Sequence, residues 1–198
     1  MDQQDRSSAK VLTAEDMNAE VLATYPVDAF LSREYLDAEK RLLWPKVWQM
    51  AERLEDVTNV GDWFTYNVAD ESVIVLRVAE GDTAAAFRAF HNVCPHRGTQ
   101  LVDEAAGRQS KFSCPYHMWT FGTDGALLSA PDFEAFHIAK ADCSLPQVLI
   151  AECGGMLFVN FDPLAQPLRE WLGEYAERLE QMPVACATTF SEYTYEIA

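Results

Sequence analysis

The sequence predicts a mainly β protein with flanking α-helices, its strands antiparallel and closed into a small sandwich or partial barrel. Three observations carry this prediction. Short runs rich in β-branched and aromatic residues follow one another between residues 62 and 161. Gly, Asp and Asn gather between those runs, where tight turns need them. Helical periodicity is confined to the two ends of the chain.

Residues 1–24 read as a solvated lead-in with at most a short helix. The run SREYLDAEKRLLWPKVW then spaces Tyr35, Leu36, Leu42, Leu43, Val47 and Trp48 on a roughly helical period, with Ser32 as N-cap. Pro45 is expected to end or kink that helix near Leu43 or Trp44. Strands are expected at DWFTYNV (62–68), SVIVLRVA (72–79) and AAFRAFHNV (85–93). Shorter ones follow in KFSC, HMWTFG and GALLSA, with the TDG of 123–125 as a hairpin turn. QVLIAECG and MLFVNF flank the turn chemistry of CGGM. PLREWLGEYAERLEQM reads as one helix: Pro167 suits its first turn, and Leu168, Trp171, Leu172, Tyr175, Leu179 and Met182 form one apolar face. ATTFSEYTYEIA alternates as a strand does.

The 198 residues suffice for one sizeable core without disulfides, and 49% of them are hydrophobic. Five cysteines, at 94, 114, 143, 153 and 186, do not form a secreted disulfide framework and point to a reducing compartment. The polar, acidic N-terminus lacks the pattern of a signal peptide, and no apolar run approaches the roughly 18 residues of a membrane span. A cytoplasmic, soluble protein is the expectation. Fifteen basic against 31 acidic residues give a net charge of −16, which argues against nucleic acid or an anionic membrane as partner. Between Arg88 and His117, however, Arg88, Arg97, Arg108 and Lys111 outnumber Asp103 and Glu104, so that segment is +2 and the remainder −18.

The chemistry lies in that segment. Cys94-x-His96 is followed after seventeen residues by Cys114-x-x-His117. Four soft or borderline donors in two tight pairs imply a metal. A structural zinc site commonly draws Cys-Cys and His-His pairs onto one ion. Here each pair offers one thiolate and one imidazole, and the first has a single intervening residue, cramped for chelating one tetrahedral ion. Sharing each pair between two metals relieves the strain, as in a two-iron, two-sulfide cluster with both cysteines on one iron and both histidines on the other. With two ferric ions, two sulfides, two thiolates and two neutral imidazoles the oxidised group is formally about neutral, against about −2 for all-thiolate ligation, so it accepts an electron more readily.

FHNVCPHRGTQL, CPYHMWTF and the DG that follows resemble the Rieske domain of ring-hydroxylating oxygenase alpha subunits, and the run from Val47 to Arg77 resembles the lead into that domain. The resemblance covers about residues 25–198 and implies a Rieske-type antiparallel β-sandwich with two cluster-binding loops. It assigns Cys94, His96, Cys114 and His117 as ligands of a Rieske 2Fe-2S cluster and divides the chain into a lead-in and helix (1–45), the Rieske domain (46–162), and a helix with the first strand of a truncated catalytic domain (163–198). The implied function is electron transfer within an aromatic-ring-hydroxylating dioxygenase or monooxygenase, from a reductase or ferredoxin to a mononuclear iron. The implied assembly is a homotrimer, with or without β subunits. That iron(II) needs two histidines and a carboxylate. Only His91 and His137 remain after the cluster ligands, so it is expected in a C-terminal domain outside these residues. The alternative is a stand-alone Rieske-type ferredoxin.

Rieske proteins of respiratory complexes carry an extra cysteine in each loop, joined by a disulfide. Thr99 and Tyr116 stand at those places, which favours the oxygenase or ferredoxin type and the lower end of the roughly −150 to +300 mV range. One departure is Met118, where the family usually has Gly; a positive φ there would strain a methionine. Trp119 and Tyr116 are expected as core or shielding aromatics, Arg97 as a donor to loop carbonyls, His91 and His137 as structural histidines, and Cys143, Cys153 and Cys186 as small core residues.

Overall fold

β-Branched and aromatic residues at every second position of 62–68 and an unbroken apolar run in 71–77 make a hairpin that the rest of the chain is built around. The structure, a computed structural model, describes residues 26–182. The expectations for 1–24, Cys186 and the final ATTFSEYTYEIA lie outside them. Among the described residues there are ten strands: β1 (Gln49–Arg53), β2 (Asp62–Val68), β3 (Glu71–Arg77), β4 (Phe87–His91), β5 (Ala106–Arg108), β6 (Lys111–Ser113), β7 (Thr120–Gly122), β8 (Leu127–Ser129), β9 (Gln147–Cys153) and β10 (Met156–Asn160). Seven make one antiparallel sheet in the order β1-β10-β9-β4-β3-β2-β5, and β6-β7-β8 make a second.

Val73, Val75, Phe87, Leu157 and Val159, each fully buried, fill the inside of the larger sheet. On its other face Ile74, Leu76 and Phe90 meet Phe112, Trp119 and Phe121 of the three-stranded sheet, and Cys94 and Cys114 lie in this second core. The two sheets close at Gly125. Its φ is 79°, and a Cβ there would stand 2.5 Å from the Phe90 ring, so only glycine lets the β7–β8 turn approach so near. The Leu145 amide donates to the Gly125 carbonyl at 2.8 Å and holds the turn down.

The helices depart from expectation in two ways. A short α1 (Asp28–Leu31) precedes α2 (Arg33–Leu42), whose N-cap is Ser32, its hydroxyl accepting from the Glu34 amide. Tyr35 and Ala38 are the residues α2 buries; Leu36, Leu42 and Leu43 are exposed, and Trp48 packs in a third core beyond the helix. The C-terminal helix is two, α3 (Leu168–Leu172) and α4 (Glu174–Gln181), broken at Gly173 with φ 54°. Leu168 and Ala176 are buried against Cys153, Met156 and Phe158, whereas Trp171, Tyr175 and Met182 face outward. Within the described residues no helix is long and apolar enough to cross a membrane.

Candidate metal centre

The two Cys/His pairs occupy loops of the same local design. In each, the cysteine amide donates to the carbonyl five residues on, Cys94 to Thr99 and Cys114 to Trp119, both at 2.8 Å. In each, the cysteine carbonyl accepts from the amide four residues on, Gly98 at 2.9 Å and Met118 at 3.0 Å. Such a tight loop needs a left-handed residue at that fourth position. Gly98 supplies it with φ 71°, and Met118 is held there with φ 58°. The imidazole hangs at different places in the two loops, two residues after the first cysteine and three after the second.

These loops bring the two expected thiols close to one another and the two expected imidazoles close to one another. Cys94 and Cys114 are each 1% exposed, and their thiols lie close enough to act on one another's ionisation. The His96 and His117 rings are 4.8 Å apart at 68°. Each ring buries its Nδ1, and neither Nδ1 has a hydrogen-bond partner among the described residues. Two inward-facing imidazole nitrogens without partners are costly unless something accepts their lone pairs. Among the described residues no three His, Cys, Asp or Glu side chains gather as a single metal ion requires. Two thiols and two imidazoles presented as separate pairs fit a bridged two-iron, two-sulfide group better than one tetrahedral ion.

Burial pushes the Cys94 thiol up to about 11; the amides of His96 and Arg97 work against that, and the neighbouring Cys114 adds to it. Burial also lowers the His96 pKa, helped by the positive charges of His117 and Arg97 nearby. A neutral imidazole is the form that can ligate a metal, and a buried thiol needs a cation beside it to ionise. Both directions suit a site that receives positively charged iron.

Aromatic rings fix the imidazoles. Trp119, 3% exposed, stacks on His96 at 4.7 Å and 4°, and Phe136 stands edge-on to both rings at 5.4 and 5.5 Å. Phe133 backs Trp119 at 5.7 Å. Tyr116 lies over His117 at 3.8 Å and is itself exposed. Trp119 and Tyr116 are therefore shielding aromatics as expected. Nothing in the spacing of Phe133 and Phe136 marks them, because they arrive from a turn bounded by the left-handed residues Asp132 and His137.

The remaining candidates sort as follows. His91 ends β4 with Nδ1 3.3 Å from Glu71, half-buried and away from the ring cluster. His137 is exposed and serves the turn backbone. Arg97 is exposed and makes no bond to the loop carbonyls among the described residues, contrary to expectation. Arg108 is held by Asp62, whose carboxyl it lowers to about 2. Cys94, Cys114, Cys143 and Cys153 are all buried and unbridged.

The sequence profile of the Rieske [2Fe-2S] domain matches residues 47–147. The carnitine monooxygenase oxygenase subunit of Acinetobacter pittii (strain PHEA-2) is 32% identical over 167 residues, 83% of this chain and 43% of the relative. The anthranilate 1,2-dioxygenase large subunit of Acinetobacter baylyi is 33% identical over 158 residues, 78% of this chain and 33% of that one. Among solved structures, the apo form of a quaternary ammonium Rieske monooxygenase superposes with a TM-score of 0.72 at 30% identity, covering 80% of this chain and 45% of that one. The chain thus spans less than half the length of these relatives. Paired loops of this design, within a profile match over half of the sequence, make the chain a member of the Rieske [2Fe-2S] domain family.

Proposed function

We propose that this chain is the electron-carrying portion of a Rieske oxygenase alpha subunit, with Cys94 and Cys114 as ligands of one iron and His96 and His117, through Nδ1, as ligands of the other. The observation that carries the reading is the pair of buried, partnerless Nδ1 atoms beside two buried thiols. A two-iron, two-sulfide cluster bound there supplies a one-electron acceptor of raised potential. The chain's own residues do the rest. With Nδ1 turned inward, each imidazole presents its Nε2 edge outward, where an electron can cross and a proton can be held. Trp119 and Phe136 exclude water from the His96 side and keep its ring from turning.

The donor is a reductase or ferredoxin in a cytoplasmic multimer. The acceptor is a mononuclear iron carried by a longer protein of which residues 46–162 form the Rieske domain and 163–198 open the catalytic domain. Electron paramagnetic resonance of the dithionite-reduced protein tests the ligand set. Its average g value should be that of mixed His/Cys ligation, and replacing any one of the four residues by Ala should remove the iron. A protein that binds one divalent ion in place of iron and sulfide, or that keeps its iron in all four variants, overturns the proposal.

A further inference from the structure

The two loops are alike inside but anchored differently. The 114–119 loop is closed at its base by the β6–β7 ladder, where Ser113 faces Thr120 and their hydroxyls are 2.9 Å apart. The 94–99 loop has no such base. It leaves β4 at His91, and the next strand the chain enters, β5, is separated from β4 in the sheet by β3 and β2. The second loop alone is therefore the tip of a hairpin.

A single side chain closes the first. Asn92 is 4% exposed. Its Oδ1 accepts from the amides of Leu101 and Val102, both at 3.1 Å, and its Nδ2 donates to the Val102 carbonyl at 2.8 Å and to the Ser72 hydroxyl at 3.2 Å. Its backbone amide donates to the Ser72 carbonyl at 2.8 Å. The carboxamide thus uses both donors and both acceptor positions, and it pins the entry and exit of the loop to the start of β3. Leu101, which it holds, is packed in the same core as the two cysteines.

We infer that Asn92 is a positioning residue for the metal centre: its buried amide replaces the missing strand ladder and sets where Cys94 and His96 stand relative to Cys114 and His117. The inference rests on the ligand assignment proposed above. Because the second loop is fixed by its hairpin, freedom gained by the first appears directly as spread in the separation of the two imidazoles.

Hydrogen exchange of the holoprotein, read on peptides covering residues 93–103 and 113–121, tests it alongside the resonance line shape of the same samples. Asn92→Ala should speed exchange in the first peptide by about tenfold or more, leave the second unchanged and broaden the resonance. Asn92→Asp keeps the acceptor for Leu101 and Val102 but sets a second oxygen against the Val102 carbonyl, so it should also speed exchange in the first peptide and leave the second unchanged. Should Asn92→Ala fail to fold, Asn92→Asp decides alone, faster exchange confined to the first peptide supporting the role and unchanged exchange there, or equal acceleration of both peptides, overturning it. Equal acceleration of both peptides, unchanged exchange in the first, or an unchanged line shape overturns it too. Cys94→Ala separates the two readings: if it keeps its iron the ligand assignment fails, and if it loses iron while Asn92→Ala exchanges normally, only Asn92's role fails.

Discussion

Gly98 and Met118 occupy equivalent positions in the two loops, so each is a control for the other. A side chain at Gly98 would meet nothing within 4 Å, which leaves backbone strain as the whole cost of adding one. Gly98→Ala should therefore destabilise the protein by about 0.5–1 kcal/mol, the cost of an L residue in the left-handed region less what alanine recovers by restricting the unfolded chain. Met118→Gly should gain by a similar amount, about 0.5–1 kcal/mol, because glycine's freedom in the unfolded chain again offsets part of the strain. For a chain of this size these are shifts of roughly 2–4 °C per kcal/mol in thermal unfolding, downward for the first and upward for the second. If Met118→Gly lowers the midpoint, the exposed Met118 side chain holds the loop by contacts that outweigh its backbone strain. The paired loops themselves were legible in the sequence, because Cys and His at these spacings have few other uses and the Met-for-Gly departure stands out against the repeat. The clasp at Asn92 and the ring of Phe136 on His96 were not, since both depend on which distant segments meet in space.

Strand positions were readable wherever burial on one or both faces imposed a pattern, as in β2, β3, β9 and β10. β5 was missed because its three residues are all exposed and it pairs only along the edge of β2. The long C-terminal helix was misjudged at Gly173, a residue that a helical repeat tolerates on paper and that here turns the chain onto β9. What sequence could not supply for β5 is supplied by one ion pair across it, Arg108 on Asp62, with Asp62 also accepting from the amide and side chain of Asn59. Arg108 holds the Asp62 carboxyl down from 3.8 to about 2, so the stabilisation is complete above 3.8 and is lost as pH falls toward 2. Arg108 is largely exposed, which discounts the pair to a surface-strength interaction. Asp62→Asn should accordingly lower the unfolding midpoint at pH 7 by roughly 2–4 °C, and the gap from the parent should close between pH 3.8 and about 2. A gap that persists unchanged at the acid end would assign the loss to the Asn59 turn instead.

Over the whole molecule, a charge of −16 opposes the approach of an acidic electron donor, and the segment from Arg88 to His117 is the one that runs against it. The sequence shows the local excess of cations, but only the fold shows which of them are free. Arg88 turns its guanidinium onto the carbonyls of Ala85 and Phe87, and Arg108 is committed to Asp62. That leaves Arg97, adjoining His96, and Lys111, at the head of the strand that runs into Cys114; both are exposed. Exposed charges act over about 10 Å at 0.1 M salt, so their pull on a charged donor weakens as salt is added. If the donor is acidic, Lys111→Glu should slow its reduction of the centre by about tenfold at low ionic strength, and the difference should shrink as salt is added. The double variant Asp62→Asn/Arg108→Gln removes an ion pair without changing net charge, so it should leave the donor rate alone while lowering thermal stability. Stopped-flow reduction across a salt series separates these outcomes. A Lys111→Glu protein reduced as fast as its parent at every salt concentration would remove Lys111 from the donor's approach and leave Arg97 and the exposed Tyr116, Met118 and Phe136 as the surface it meets.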